Sequence, residues 1–174
     1  LPTGSGNDVA FSPDGSDIAV AHSDSPYITV YPWTSIGFGI KYSNPSTLPA
    51  STALGVTFSP DGTAIAVGHS GFPYISIYEW SSSGFGTKFS NPSPSGVGSN
   101  GYDLDFSPDG TAIAIGSANS PYISVFEWSS SGFGTRYSNP STLPTNGAYG
   151  GCRFSPDGTA LAVAHANSPY ITVY

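Results

Sequence analysis

The sequence predicts an all-β fold, a β-propeller of four-stranded antiparallel blades, on three observations. The run Phe58–Val67 (FSPDGTAIAV) returns at Phe11–Val20, Phe106–Ile115 and Phe154–Val163, so one unit is repeated four times. The leading phenylalanines lie 47, 48 and 48 residues apart, and a repeat of about 40–50 residues holding several strands is the mark of propeller blades. Within each unit, short alternating runs are separated by Gly, Pro, Asp and Ser at fixed places, which is turn chemistry rather than low-complexity filler. A β-helix has shorter turns of chain, and a sandwich does not repeat its sequence.

The second unit shows each element in turn. Gly55-Val56-Thr57-Phe58 is a short alternating run, strand A. Ser59-Pro60-Asp61-Gly62 ends it: Pro sets φ, Asp bonds back to the backbone, and Gly supplies a positive φ. Ala64-Ile65-Ala66-Val67-Gly68 is strand B, with Ile65 and Val67 on one face and small residues on the other. A turn at Ser70-Gly71-Phe72-Pro73 leads to strand C, Tyr74-Ile75-Ser76-Ile77-Tyr78, rich in β-branched and aromatic residues. Trp80 to Phe85 reads as a loop, and Thr87-Lys88-Phe89-Ser90 as a weaker strand D. Asn91-Pro92-Ser93-Pro94-Ser95-Gly96 begins the link to the next unit.

Such a meander has two apolar faces and cannot bury either alone. The small face (Ala19 and Ala21, Ala64 and Ala66, Ala112 and Ala114) lets the large face of the following unit approach closely. The boundaries are blade 1 at about 4–44, blade 2 at about 53–91, blade 3 at about 100–139 and a partial blade 4 at about 148–174. They form one propeller domain or a segment of a larger propeller. Strands A, B and C occur four times but D only three times, so the fourth blade is expected to lack its outer strand. Either that blade is completed from outside or the chain belongs to a longer array. A closed four-bladed monomer is the alternative.

Composition narrows the function. Hydrophobic residues are 38% and aromatics 14%, enough to build a core. The net charge is −7 with only four Lys and Arg, so no basic patch exists for nucleic-acid phosphates or an anionic membrane surface. No apolar run of about 18 residues spans a bilayer. The single cysteine, Cys152, excludes an intrachain disulfide framework and a thiolate zinc cluster.

Phe-Ser-Pro-Asp-Gly, then Ala-Ile-Ala-Val, then Tyr-Ile-Ser-Val-Phe resembles WD-repeat and WD-like propeller blades, including the bacterial YVTN-type repeats, over nearly the whole chain. The resemblance implies a propeller and is almost silent on function, because propellers host enzymes, scaffolds and receptors. The Trp-Asp position is held by Tyr31-Pro32, Tyr78-Glu79 and Phe126-Glu127, and the Gly-His dipeptide is missing. The buried Asp-His-Ser-Trp network of true WD repeats therefore does not carry over.

Candidate site residues follow the repeat. His22, His69 and His165 share one position at the end of strand B, where blade 3 has Ser117. They read as a polar ring or as structural histidines bonded to a turn, and no metal is expected because side chains on separate blades diverge. Asp14, Asp61, Asp109 and Asp157 lie one per blade and serve the turns, whereas a hydrolase needs two carboxylates on one substrate. On strand A, Asp105 and Arg153 line the channel on successive blades and are positioned to pair, while Asp8 and Asp103 share a position at its mouth. Lys41, Lys88 and Arg136 share a strand D position that guards the edge; Glu79–Lys88 and Glu127–Arg136 suggest cross-strand ion pairs. Trp33, Trp80 and Trp128, with Phe38, Phe85 and Phe133, either clasp their hairpins or form aromatic platforms for a sugar or peptide.

No catalytic triad order, Walker loop or Rossmann glycine pattern occurs, and no cofactor is implied. The sequence thus predicts a non-enzymatic repeat scaffold in an oligomeric extracellular, cell-surface or virion assembly. Its expected partners are further copies of itself or other segments of a longer blade array. A multivalent glycan- or protein-binding propeller and, behind it, a propeller hydrolase or lactonase are the alternatives.

Overall fold

A computed structural model describes residues 1–93 and 96–174; Pro94 and Ser95 of the predicted linker lie outside them. Among the described residues, fifteen strands form four antiparallel sheets, three in A-B-C-D order and one in A-B-C order. Blade 1 comprises β1 (Gly6–Phe11), β2 (Asp17–His22), β3 (Ile28–Thr34) and β4 (Gly37–Phe38). Blade 2 comprises β5 (Ala53–Phe58), β6 (Ala64–His69), β7 (Ile75–Ser81) and β8 (Gly84–Lys88). Blade 3 comprises β9 (Gly101–Phe106), β10 (Ala112–Ser117), β11 (Ile123–Ser129) and β12 (Gly132–Arg136). Blade 4 has β13 (Gly151–Phe154), β14 (Leu161–Ala164) and β15 (Ile171–Val173), without a fourth strand among the described residues. The fold is therefore the expected β-propeller with a short fourth blade. Among the described residues, no helix is long and apolar enough to cross a membrane.

The core lies between blades. Ala19, Ala21, Ile28 and Val30 of blade 1 pack on Val56, Phe58, Ile65, Val67, Tyr78 and Trp80 of blade 2. Blade 2 presents Ala64, Ala66, Ile75 and Ile77 to Leu104, Phe106, Ile113, Ile115 and Trp128. Ala114 and Ile123 of blade 3 meet Cys152, Leu161 and Val163. Each small face thus receives the next large face, and burying both is what the two-sided meander requires. The inner strands contact in sequence, β1 with β5, β5 with β9 and β9 with β13. Among the described residues, β13 and β1 at the ends of the series have no comparable contact.

The Ser-Pro-Asp-Gly turns form as their chemistry requires. Ser59 Oγ donates to Asp61 Oδ1 at 2.6 Å and accepts from the Ala64 amide at 2.9 Å. Asp61 Oδ1 also accepts from the Thr63 amide at 3.0 Å. Gly62 has φ +72°, the left-handed region that favours glycine. Bonds from Ser12 and then from the Ser16 amide hold the Asp14 carboxyl down at about 2; the Ser155 and Thr159 groups do the same for Asp157. A depressed folded value means this carboxylate supports its turn above the unfolded value of about 4, and loses that support as pH falls through about 2. Carboxyl NMR titration is expected to give midpoints near 2 for Asp14 and Asp157, and Ser12→Ala should move Asp14 upward. An Asp14 midpoint near 4 in the wild type would contradict this account of the turn.

Four local details differ from expectation. Tyr74 belongs to the turn: its φ is 73°, because its amide bonds to Gly71 O at 2.7 Å while its carbonyl accepts from the His69 amide at 3.0 Å. The C–D loop is only Ser82-Ser83, since Trp80 pairs with Phe85 and Ser81 with Gly84 inside the strands. Glu79 does not pair with Lys88, because Lys88 is in register with Tyr78 and adjacent residues face opposite sides of the sheet. Glu79 instead accepts from the Thr87 amide and Lys88 bonds to Asn91; Glu127 and Arg136 likewise turn to Thr135 and Asn139. Blade 1 has Pro32 in place of this glutamate, and its β4 ends after two residues.

Candidate functional site

The inner strands β1, β9 and β13 carry Asp8, Asp103, Asp105 and Arg153. A one-residue bulge in strand A aims Asp8 and Asp103 sideways at the next blade. Asp8 Oδ2 accepts from the Val56 amide at 2.9 Å, and Asp103 Oδ2 from the Cys152 amide at 2.9 Å. Asp105 Oδ2 accepts from the Phe154 amide at 2.7 Å. These carboxylates therefore staple successive blades. Burial raises the Asp8 and Asp105 pKa values, against the pull of the amides they bind.

Arg153 makes its ion pair with Asp103, not with Asp105 as the strand A alignment suggested. The reason is positional: Arg153 Nη1 also donates to the Cys152 carbonyl at 2.7 Å, next to the Cys152 amide that binds the same Asp103 oxygen. Burial by itself would lower the guanidinium pKa, but Asp103 outweighs it and the net shift is upward. The Cys152 thiol is fully buried, and burial pushes its pKa up, so it is no thiolate nucleophile at neutral pH.

The three histidines sit inside their own blades. His69 Nε2 lies 3.1 Å from Ser76 Oγ. His165 Nε2 lies 3.0 Å from Thr172 Oγ1, with Nδ1 3.2 Å from Thr145 Oγ1. His22 is also buried, and its two ring nitrogens have no hydrogen-bond partner among the described residues. Burial depresses His69 to about 4 and lowers His22, so both are neutral at pH 7. No three His, Cys, Asp or Glu side chains converge as metal ligands among the described residues.

Trp80 and Trp128 close the blade junctions. Trp80 meets Tyr42 of the preceding blade at 5.1 Å, Phe58 at 5.7 Å and Phe85 at 5.0 Å, all edge to face. Trp128 repeats this with Phe89, Phe106 and Phe133. Beyond blade 3, Tyr137 and Phe154 instead line a cleft of about 380 Å³ with Leu161 and Tyr174. Asp17 is a site residue that the sequence reading missed. It accepts from Tyr42 Oη at 2.9 Å and from Trp80 Nε1 at 3.3 Å, joining blade 1 to blade 2. Its signal was the repeat itself, since the matching residues are Ala64, Ala112 and Ala160.

The two ends of the series leave apolar faces open. Val9 is 58% exposed, whereas Val56, Leu104 and Cys152 at the same repeat position are 0–3%. Phe11 is 51% exposed against 7% for Phe58 and 5% for Phe106; Trp33 and Phe38 are also exposed. On the opposite face of blade 4, Ile171 and Val173 are 53% and 60% exposed, against 0–3% for Ile28, Ile75 and Ile123.

No family model matches the chain, and no curated protein sequence does. Many solved structures resemble it. The U3-55K structure and the RRP9 WD40 repeats each align over 100% of this chain at TM-score 0.73 and 16% identity. Hydrazine synthase of Kuenenia stuttgartiensis aligns over 97% at TM-score 0.70 and 16% identity. The chain spans 50%, 49% and 44% of those structures, about half their length. At this identity the likeness shows the fold alone, a β-propeller like that of the WD40 repeats.

Proposed function

We propose that this chain is a non-enzymatic interaction scaffold, part of an oligomeric assembly joined through the free faces of its end blades. The observation carrying this is the contrast between Val9 and Phe11, more than half exposed, and their buried repeat equivalents. An apolar surface of this kind marks an interaction site. The propeller fold is compatible with the proposal, since propellers host scaffolds as well as enzymes.

The inner-wall chemistry supports the non-enzymatic part. Asp8, Asp103 and Asp105 are each tied to a backbone amide of the following blade, a structural use that accounts for them without the acid–base pair a hydrolase or lactonase requires. A multivalent glycan reading draws less support, because Trp80 and Trp128 are buried in the junctions. The sparsely charged, Ser- and Gly-rich composition fits an extracellular, cell-surface or virion setting. Analytical ultracentrifugation tests the proposal. Association above one chain is expected, and Val9→Asp should weaken it at least tenfold without unfolding the blade. A single-chain species at all concentrations would contradict it.

A further inference from the structure

We infer that the partner is a second copy of this chain, docked head to tail, so that blade 4 of each copy packs on blade 1 of the other and closes a ring of eight blades. The inference rests on the scaffold proposal above and adds the partner and the register. Its first support is continuity. The open face of blade 4 carries Ile171 and Val173, the residues whose equivalents Ile28 and Val30 bury against blade 2. The open face of blade 1 carries Val9 and Phe11, whose equivalents Val56 and Phe58 receive them. Both halves of an interface used three times within the chain are therefore present at its ends.

The second support is a glycine with no use inside the chain. Where blade 2 meets blade 3, a Cβ on Gly101 would lie 2.5 Å from Tyr74 O and 3.3 Å from Gly68 Cα, so only glycine permits that approach. Gly6 occupies the Gly101 position in blade 1, yet the nearest atom to its ideal Cβ is Val20 Cγ1 at 3.8 Å. The residue matching Gly68 on the open face of blade 4 is Ala164. Ala164 of a second copy would rest over Gly6, as Gly68 rests over Gly101. The junction types also alternate in register: Asp8 and Asp103 staple the first and third junctions, while Gly55 and Gly151 stand at that position in blades 2 and 4. A fourth junction of the Gly55 type continues the alternation.

Symmetry supplies the third support. Each copy brings four blades and one open face of each kind. Two identical heterologous junctions then close a two-fold ring with no open end.

Native mass spectrometry of the 174-residue chain tests this, with two variants and their mixture. The wild type is expected at twice 17.9 kDa. Gly6→Leu, whose side chain meets open space within the chain, and Val173→Asp, on an exposed position, should each run at the single-chain mass with unchanged near-UV circular dichroism. An equimolar mixture of the two should recover the pair, because one intact junction remains between Val173 of the Gly6→Leu copy and Gly6 of the Val173→Asp copy. A wild-type pair indifferent to Gly6→Leu, a larger or open-ended series, or a mixture that stays single-chain would overturn the head-to-tail pair while leaving the scaffold proposal standing. A wild type at the single-chain mass would overturn both.

Discussion

Trp80→Ala is expected to lower the unfolding free energy by about 3–5 kcal/mol, the range for removing a buried Trp from a core. Trp80 is 6% exposed and touches three aromatic rings drawn from two blades. Its loss also leaves Asp17 with one fewer donor in a buried setting. Trp33 holds the same repeat position in blade 1 but is 40% exposed. In the isolated chain Trp33→Ala should therefore cost less, about 1–2 kcal/mol. Denaturant titration of the two variants checks this. Equal losses would mean that Trp80 works only within its own hairpin and does not hold the junction.

The second large effect is a dependence of stability on pH through His69. The unfolded imidazole takes up its proton near the ordinary value of about 6.5, whereas burial keeps the folded one neutral down to about 4. Between these values the unfolded state binds more protons, so stability falls as pH falls. Integrated over the window, the loss is about 3 kcal/mol. The full contribution is present above pH 6.5 and disappears toward pH 4. His22, also lowered by burial, acts in the same direction. His69→Ser borrows the residue that blade 3 uses at this position, Ser117. Unfolding measured at pH 7, 5.5 and 4.5 should show a shallower slope in that variant. An unchanged slope would place the titration elsewhere.

Much of this fold was legible before any coordinates. The alternating Ala-Ile-Ala-Val runs and the Ser-Pro-Asp-Gly turns carry local signals that depend on a few neighbouring residues, and both formed as read. Details set by register were harder to see. Glu79 and Lys88 are symmetric about the hairpin in sequence, but the bulge between Tyr78 and Trp80 puts Lys88 in register with Tyr78. The loop called for between Trp80 and Phe85 shrank because Gly84, at φ +98°, lets the strands meet across Ser82-Ser83. Arg153 pairs with Asp103 because its guanidinium also reaches the Cys152 carbonyl, next to the amide that holds Asp103.

The interface residues divide in the same way. Asp17 could have been found by asking where the repeat breaks, since Ala stands in the other three blades. The seven-residue spacing of His69 to Ser76 and of His165 to Thr172 is visible in sequence, but only the strand B to strand C turn brings each pair into contact. Gly6 carried no local signal at all. Its meaning comes from comparison with Gly101, whose close neighbours belong to another blade.

In the proposed pair, four blades with two open faces make up half of an eight-bladed ring. Class-averaged electron microscopy of the purified chain tests it most directly, by counting the blades around the central axis. Eight blades with two-fold symmetry are predicted. A closed ring of four blades, or an isolated open arc, would contradict the account.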